Sequence, residues 1–163
     1  MSLAVLGWLF TCGALAHNAE EALYLPAWSE RAGWFYKPIS APIFRRAAGL
    51  LSVLFVLVTA ASSLSQPASI AAYLMAGYVL AMVLNVFMPH VSVSLLTGRY
   101  MPGTATAVLF NLPLGLLYLT RALAAQHVKF PTFYWAGPAV VLVMLALLPS
   151  LFAIGRKLHP ATG

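Results

Sequence analysis

Two neighbouring glutamates and a histidine interrupt an apolar stretch near the start of the chain. Residues 16–22 read AHNAEEA, and the whole sequence of 163 residues contains only three acidic side chains. Carboxylates are costly to place in or near lipid, so their presence in such a stretch predicts a functional site. On a helix, residues three and four apart share a face. His17, Glu20 and Glu21 would therefore present one imidazole and two carboxylates on the same side of a single helix.

Later apolar stretches carry further polar groups that suit a divalent metal. Two histidines and one carboxylate hold catalytic zinc with an open position, and the same donors also hold non-haem iron. Zinc with hydrolysis is preferred to iron with oxidation, because no electron-transfer partner is visible in the sequence. One glutamate beyond the ligand set would act as general base, and two asparagines would orient a ligand or polarise a substrate. The predicted metal ligands are His17, Glu20, Glu21 and His90, and the predicted catalytic residues are Glu20, Glu21, Asn85 and Asn111.

A second cluster lies in the turn that precedes the fourth predicted helix, where residues 98–106 read GRYMPGTAT. Thr104 or Thr106 can cap that helix, and a helix N-terminus favours anions. Arg99 adds positive charge nearby. A phosphate or carboxylate head group is expected to dock here, with its apolar chain between helices, although the pattern also fits an ordinary loop. The predicted substrate-binding residues are Arg99, Tyr100, Thr104 and Thr106.

The composition of the chain predicts that these residues are carried by membrane-spanning helices. Hydrophobic residues make up 62% of the chain, charged residues 7%, and the mean hydropathy is +0.90. Several apolar runs approach the length that crosses a bilayer, and no alternating β-barrel pattern occurs. We therefore predict an all-α polytopic membrane bundle in a single domain over residues 1–163. The expected helices are five, at about 3–25, 47–65, 68–97, 103–125 and 132–154.

The basic residues predict the orientation of this bundle. They lie at the ends of apolar runs rather than in a patch, so nucleic-acid binding is excluded despite the net charge of +6. Two loops and the tail on one side hold seven of the nine bases. The positive-inside rule then places the N-terminus outside and the C-terminus in the cytoplasm, as expected for a bacterial inner-membrane protein. Pro89 should kink the third helix beside His90, and His127 and His159 are predicted to be solvated.

The chain resembles the HXXEE family of small bacterial membrane proteins. The motif that names the family corresponds to HNAEE at residues 17–21, and a second similar block runs from Asn85 to His90 and on through residues 99–103 and Thr106. The resemblance implies that His17, Glu20, Glu21, Asn85 and His90 form the site. It implies no particular reaction.

The leading hypothesis is an integral membrane enzyme that holds a divalent metal near the cytoplasmic side. Its partner would be a lipidic or isoprenoid-like small molecule, and a homo-oligomer is compatible with the sequence. Three alternatives remain open. The same groups would serve metal-free acid/base isomerisation or cyclisation, proton relay in a small transporter, or a purely structural pairing of helices.

Overall fold

The computed structural model describes residues 1–33 and 36–157, and this part of the chain is helical with no strand. Its five helices agree with the predicted all-α class. Four of them, α2 to α5, are long and apolar enough to cross a membrane. The bounds are α1 Leu3–Ser29, α2 Ala41–Ser63, α3 Ile70–Thr97, α4 Thr104–Ala124 and α5 Phe130–Lys157.

The first helix is comparably long, with 27 residues, or about 40 Å at the usual helical rise. It is not among the four candidate spans, and it carries His17, Asn18, Glu20 and Glu21 in its second half. The membrane class is therefore supported by length and composition, whereas the N-terminus-outside orientation and the bacterial inner membrane stay predictions.

Two predicted helix boundaries were wrong, and proline chemistry explains both. Helix α1 was expected to end before Pro26 but continues to Ser29. Pro26 has no N–H to give to the carbonyl of Ala22, and Arg45 Nε donates to that oxygen instead, at 3.0 Å. Helix α2 begins at Ala41, six residues before the predicted start, because proline is well tolerated in a first turn.

Aromatic side chains fill the core where α1, α2 and α3 meet. The ring of Tyr78 stacks on Phe55 at a centroid distance of 4.2 Å and meets the edge of Phe10 at 5.4 Å. Helix α4 approaches this cluster through Gly115, where an added Cβ would lie 2.5 Å from a methyl group of Val83. Small residues at such crossings let membrane helices pack closely. The core fixes the relative positions of α1, α3 and α4, which carry the polar residues.

Both α3 and α4 depart from a regular α-helix, and each departure carries a predicted site residue. In α3 two helical stretches meet at a kink within Val86–Val91, which includes His90, and in α4 a π-helical segment spans Ala107–Asn111. The kink expected at Pro89 is present, with the non-helical conformation at Met88 (φ −131°, ψ 113°), because a proline disfavours the α conformation of the residue before it. Single π turns occur frequently at functional sites.

Candidate metal centre

Two imidazoles and one carboxylate from α1 and α3 converge on one point. The group comprises His17, Glu21 and His90, each of which offers a ligand atom within 4.8 Å of the others. Nε2 of His90 lies 3.3 Å from Glu21 Oε1, and Nε2 of His17 lies 3.8 Å from Glu21 Oε2. The two rings meet edge to face, with centroids 4.7 Å apart. This is the His₂Glu set that the sequence predicts.

Neither ring nitrogen of the buried His90 makes a hydrogen bond within the described structure, although a carboxylate oxygen of Glu21 lies beside one of them. The side chain of His90 is fully buried. The Glu21 oxygen is near Nε2, but it lies outside the directions that a hydrogen bond requires. An unsatisfied buried polar group costs about 1–3 kcal/mol, so such groups are rare and need an explanation.

A metal ion fits the spacing of these donors. Ligands placed 2.0–2.1 Å from a tetrahedral zinc lie roughly 3.3 Å from one another. Glu21 Oε1 lies 3.3 Å from His90 Nε2 and Glu21 Oε2 lies 3.8 Å from His17 Nε2, while one ligand atom from each residue lies within 4.8 Å of the others. The group could therefore hold a metal ion, and its donor types suit iron as well as zinc.

Hydrogen bonds fix the orientation and tautomer of His17. Its Nδ1 lies 3.0 Å from the carbonyl oxygen of Gly103. A carbonyl can only accept, so Nδ1 carries the proton and Nε2 presents its lone pair towards Glu21. The Asn85 amide nitrogen lies 3.3 Å from that Nε2. A backbone carbonyl that holds the second nitrogen of a ligating histidine is typical of metal sites.

The backbone of the α3–α4 turn closes the site at Gly103. This residue has φ +92°, a conformation that favours glycine. An added Cβ would lie 2.6 Å from His90 Cε1, 2.9 Å from His17 Cε1 and 3.0 Å from Glu21 Cγ. Sequence reasoning did not place Gly103 in the site. The Pro-Gly pair indicated a turn, but its contact with the imidazoles is a tertiary feature.

The structure separates the two neighbouring glutamates. Whereas Glu21 faces the histidines, Glu20 is not in the metal group and faces the α3–α4 turn. Its Oε1 accepts from Gly103 N at 2.9 Å and from the Tyr100 hydroxyl, and its Oε2 accepts from Thr106 Oγ1 at 2.7 Å and from Thr106 N at 3.4 Å. Consecutive helical residues point about 100° apart, so the two carboxylates face different parts of the structure. The structure therefore places Glu20 against the turn and outside the metal group, while its predicted catalytic role stays a prediction.

The contacts of Glu20 differ from those predicted for the turn between α3 and α4. The expected cap by Thr104 or Thr106 is absent, because the N-cap residue is Gly103 and makes no side-chain cap bond. The anion at this helix start is the Glu20 carboxylate from α1. The backbone donors proposed for a substrate head group are therefore already used. Thr104 Oγ1 instead donates to Met101 O at 2.7 Å.

Tyr100 stabilises the same contact from the solvent side. Its hydroxyl donates to Glu20 and accepts from Ala105 N at 3.1 Å. Partial burial, together with the hydrogen bond to Glu20, raises the pKa of Tyr100 above its ordinary value. The hydroxyl therefore keeps its proton at neutral pH and remains a donor. Arg99, the remaining predicted substrate-binding residue, is exposed beside it.

Asn111 and His127 lie outside the metal group. Asn111 is fully buried, and neither atom of its amide makes a hydrogen bond within the described structure. It lies against Gly13, one helical turn before His17, at 3.6 Å from an added Cβ. His127 is half-buried in the α4–α5 connection, away from the metal group, and burial lowers its pKa. His159 lies outside the described residues.

These observations define a helical membrane-type protein with a buried His₂Glu group between its helices. The chain belongs to the HXXEE family, described as "Protein of unknown function with HXXEE motif", whose family model matches residues 8–118. It is 32% identical over 153 residues to "Uncharacterized protein YrkK" from Bacillus subtilis (strain 168), an alignment that covers 93% of this chain and 96% of that protein. No solved structure matches the chain.

Proposed function

We propose that this protein is a membrane enzyme that depends on a divalent metal held by His17, Glu21 and His90. The observation that carries the proposal is the fully buried His90, whose ring nitrogens have no hydrogen bond although Glu21 lies 3.3 Å away. A metal bond to one of these nitrogens supplies the missing partner. The proposed location is the cytoplasmic side of a bacterial inner membrane, as the loop charges predict.

A bound divalent metal would supply Lewis-acid chemistry and would make a bound water acidic enough to react near neutral pH. The surrounding residues have separate tasks. Gly103 O holds His17 in the tautomer that presents Nε2, and Asn85 contacts the same nitrogen. Glu21 keeps 18% of its side chain exposed, so the site opens on this side. We assign Asn111, with its unsatisfied amide, to hold a polar group of the substrate inside the bundle.

The substrate that we propose is lipidic or isoprenoid-like. Exposed apolar side chains lie close in sequence to His90 on α3 and to Asn111 on α4. Phe87 is 53% exposed, Met88 70% and Leu109 66%. Apolar side chains are compatible with a lipid environment, so an apolar substrate would approach these helices from the bilayer without crossing water.

Metal-free acid/base catalysis is the second candidate, and one observation favours it. Glu21 lies within 4.0 Å of both imidazoles, so a proton can pass between the carboxylate and either ring. Isomerisation or cyclisation of an apolar substrate would need such a pair of acid and base. The two candidates share their residues and differ in whether metal is bound.

Elemental analysis of protein purified without chelators separates them. Wild type should contain close to one transition-metal ion per chain, and His17→Ala and His90→Ala should lose most of it. His127→Ala is the matched control, since His127 lies away from the metal group and should retain the metal. Equal metal content in all four proteins, or none in an active wild type, would exclude the metal proposal.

The enzymatic part is tested by incubating the protein with a total bacterial lipid extract and following the lipids by mass spectrometry. Wild type should convert at least one lipid species over time, and Glu21→Gln should not. A lipid profile that stays identical with both proteins under metal-loaded conditions argues against an enzyme acting on these lipids.

A further inference from the structure

A cavity on the same side of the bundle as the metal centre lies between the end of α1 and the α3–α4 turn. It has a volume of about 180 Å³, and its walls are Trp28, Arg31, Ala32, Arg99 and Tyr100. A water molecule occupies about 30 Å³ of liquid, so the space suits a small head group rather than a whole lipid.

Two guanidinium groups from separate elements line this cavity without an internal counter-ion. Arg31 follows the end of α1, and Arg99 lies in the turn between α3 and α4. The chain has three carboxylate side chains, and none of them forms an ion pair with either arginine in the described part of the chain. Arginine presents a planar fork of donors that matches phosphate oxygens. The charge of the cavity is therefore available to an external anion.

The cavity and the metal centre share the same supporting elements. Trp28 follows Glu21 by seven residues, or two turns of α1, which places it roughly 10 Å further along the helix axis. Tyr100 lines the cavity with its side chain, while its hydroxyl bonds Glu20 beside the centre. A molecule bound in the cavity would therefore contact a residue directly linked to the metal-holding helix.

We propose that this cavity binds the phosphate group of an anionic amphiphile, with Arg31 and Arg99 contacting the phosphate oxygens. This inference rests on the proposed function and adds a substrate class to it: the enzyme selects a phosphate-bearing lipid. Because the cavity lies about two helical turns from Glu21, the phosphate serves for recognition, and the reacting bond lies elsewhere in the molecule.

The test is isothermal titration calorimetry of detergent-purified protein with dihexanoyl phosphatidic acid, with dihexanoyl phosphatidylcholine as the zwitterionic match. Wild type should bind phosphatidic acid at one site and bind phosphatidylcholine more weakly. Arg31→Gln and Arg99→Gln should each weaken the phosphatidic acid complex by about fivefold, as expected for exposed ion pairs. Arg156→Gln, which removes an exposed charge at the same end of the bundle, should leave it unchanged.

Two further measurements separate specific binding from general attraction. Arg99→Lys keeps the charge and loses the fork, so it should bind less well than wild type but better than Arg99→Gln. Inorganic phosphate should compete at much lower affinity, because it has no apolar chain. Equal losses in all three Gln variants, no loss in the cavity variants, or equal affinity for inorganic phosphate and the lipid would each overturn the proposal.

The metal content of the same samples distinguishes this inference from the proposed function. If protein purified without metal still prefers phosphatidic acid, and this preference depends on Arg31 and Arg99, the phosphate site is supported and the metal proposal is excluded. If metal-loaded protein does not distinguish the two lipids, the phosphate site is excluded and the metal proposal stands.

Discussion

Nδ1 of His17 lies 3.0 Å from the carbonyl oxygen of Gly103, so the residue that closes the α3–α4 turn also determines which nitrogen of His17 faces Glu21 and Asn85. The same residue donates its N–H to Glu20 at 2.9 Å. One glycine thus links α1 to the turn through both its backbone groups, and its lack of a side chain leaves room for the imidazoles.

Replacing Gly103 by alanine should lower metal binding more strongly than it lowers the stability of the α3–α4 turn. Gly103→Ala would strain a left-handed residue and bring a methyl group within 3.0 Å of both imidazoles. We expect a loss of about 1–3 kcal/mol of stability from strain and contact, with a severalfold loss of bound metal. Thermal unfolding in detergent and elemental analysis would measure the two effects.

Gly98→Ala is the matched control for this substitution. Gly98 also has a positive φ, of +61°, but an added Cβ would meet nothing within 4 Å. It should lower stability by about 1 kcal/mol through strain alone and keep its metal. Equal metal loss in the two variants would show that the contact with the imidazoles is not the cause.

Replacing Glu20 or Glu21 by glutamine should have different effects on metal content and on stability. Glu21→Gln removes a charged ligand and should lower metal content strongly. Glu20→Gln places an amide N–H₂ among the donors of Tyr100, Gly103 and Thr106 and should destabilise the fold by about 1–3 kcal/mol, with metal largely retained. Metal loss from Glu20→Gln in a sample whose unfolding temperature matches wild type would contradict this division.

Tyr100→Phe should weaken the attachment of the turn in a pH-dependent way. The raised pKa of Tyr100 means that its stabilising contribution is fully present below the ordinary tyrosine pKa of 10.0 and is lost as pH rises through the higher folded value. Wild type should therefore unfold at a higher temperature than Tyr100→Phe at pH 8, and the difference should shrink as pH rises above 10. A difference that stays constant over this range would exclude the hydroxyl as its source.

Asn111→Leu should increase stability if the amide has no partner in the folded chain. A buried unsatisfied amide costs about 1–3 kcal/mol, and leucine has a similar branched shape without polar atoms. The expected result is a higher unfolding temperature, unchanged metal content and reduced lipid conversion. A lower unfolding temperature would indicate that Asn111 has a partner, such as a buried water.

Much of the site could be predicted from residue type and spacing. The cost of carboxylates and imidazoles in apolar segments pointed to His17, Glu20, Glu21 and His90, and the loop charges supported a shared depth for the two histidines. The difference between Glu20 and Glu21 could not be predicted, because both fall on a broad helical face and only the position of the α3–α4 turn decides which one faces the histidines.

The helix count was predictable from apolar runs, whereas the position at which α1 ends depended on a tertiary contact. The continuation of α1 through Pro26 requires Arg45, a residue of the next helix, to satisfy the carbonyl that the proline leaves without a donor. Pro89 indicated the kink in α3, whereas nothing in the sequence indicated the π-helical segment in α4. Its backbone conformation depends on packing between helices that sequence periodicity does not describe.

The π-helical segment Ala107–Asn111 has a consequence for how tolerant α4 is to changes in length. A π turn accommodates one residue more than an α turn, so the chain could lose one residue here and return to an ordinary helical turn while the following segment keeps its orientation. Loss of one residue elsewhere in α4 would rotate everything after it by about 100°. The direction of the side chains that follow Asn111 therefore depends on where a deletion falls, as well as on side-chain identity.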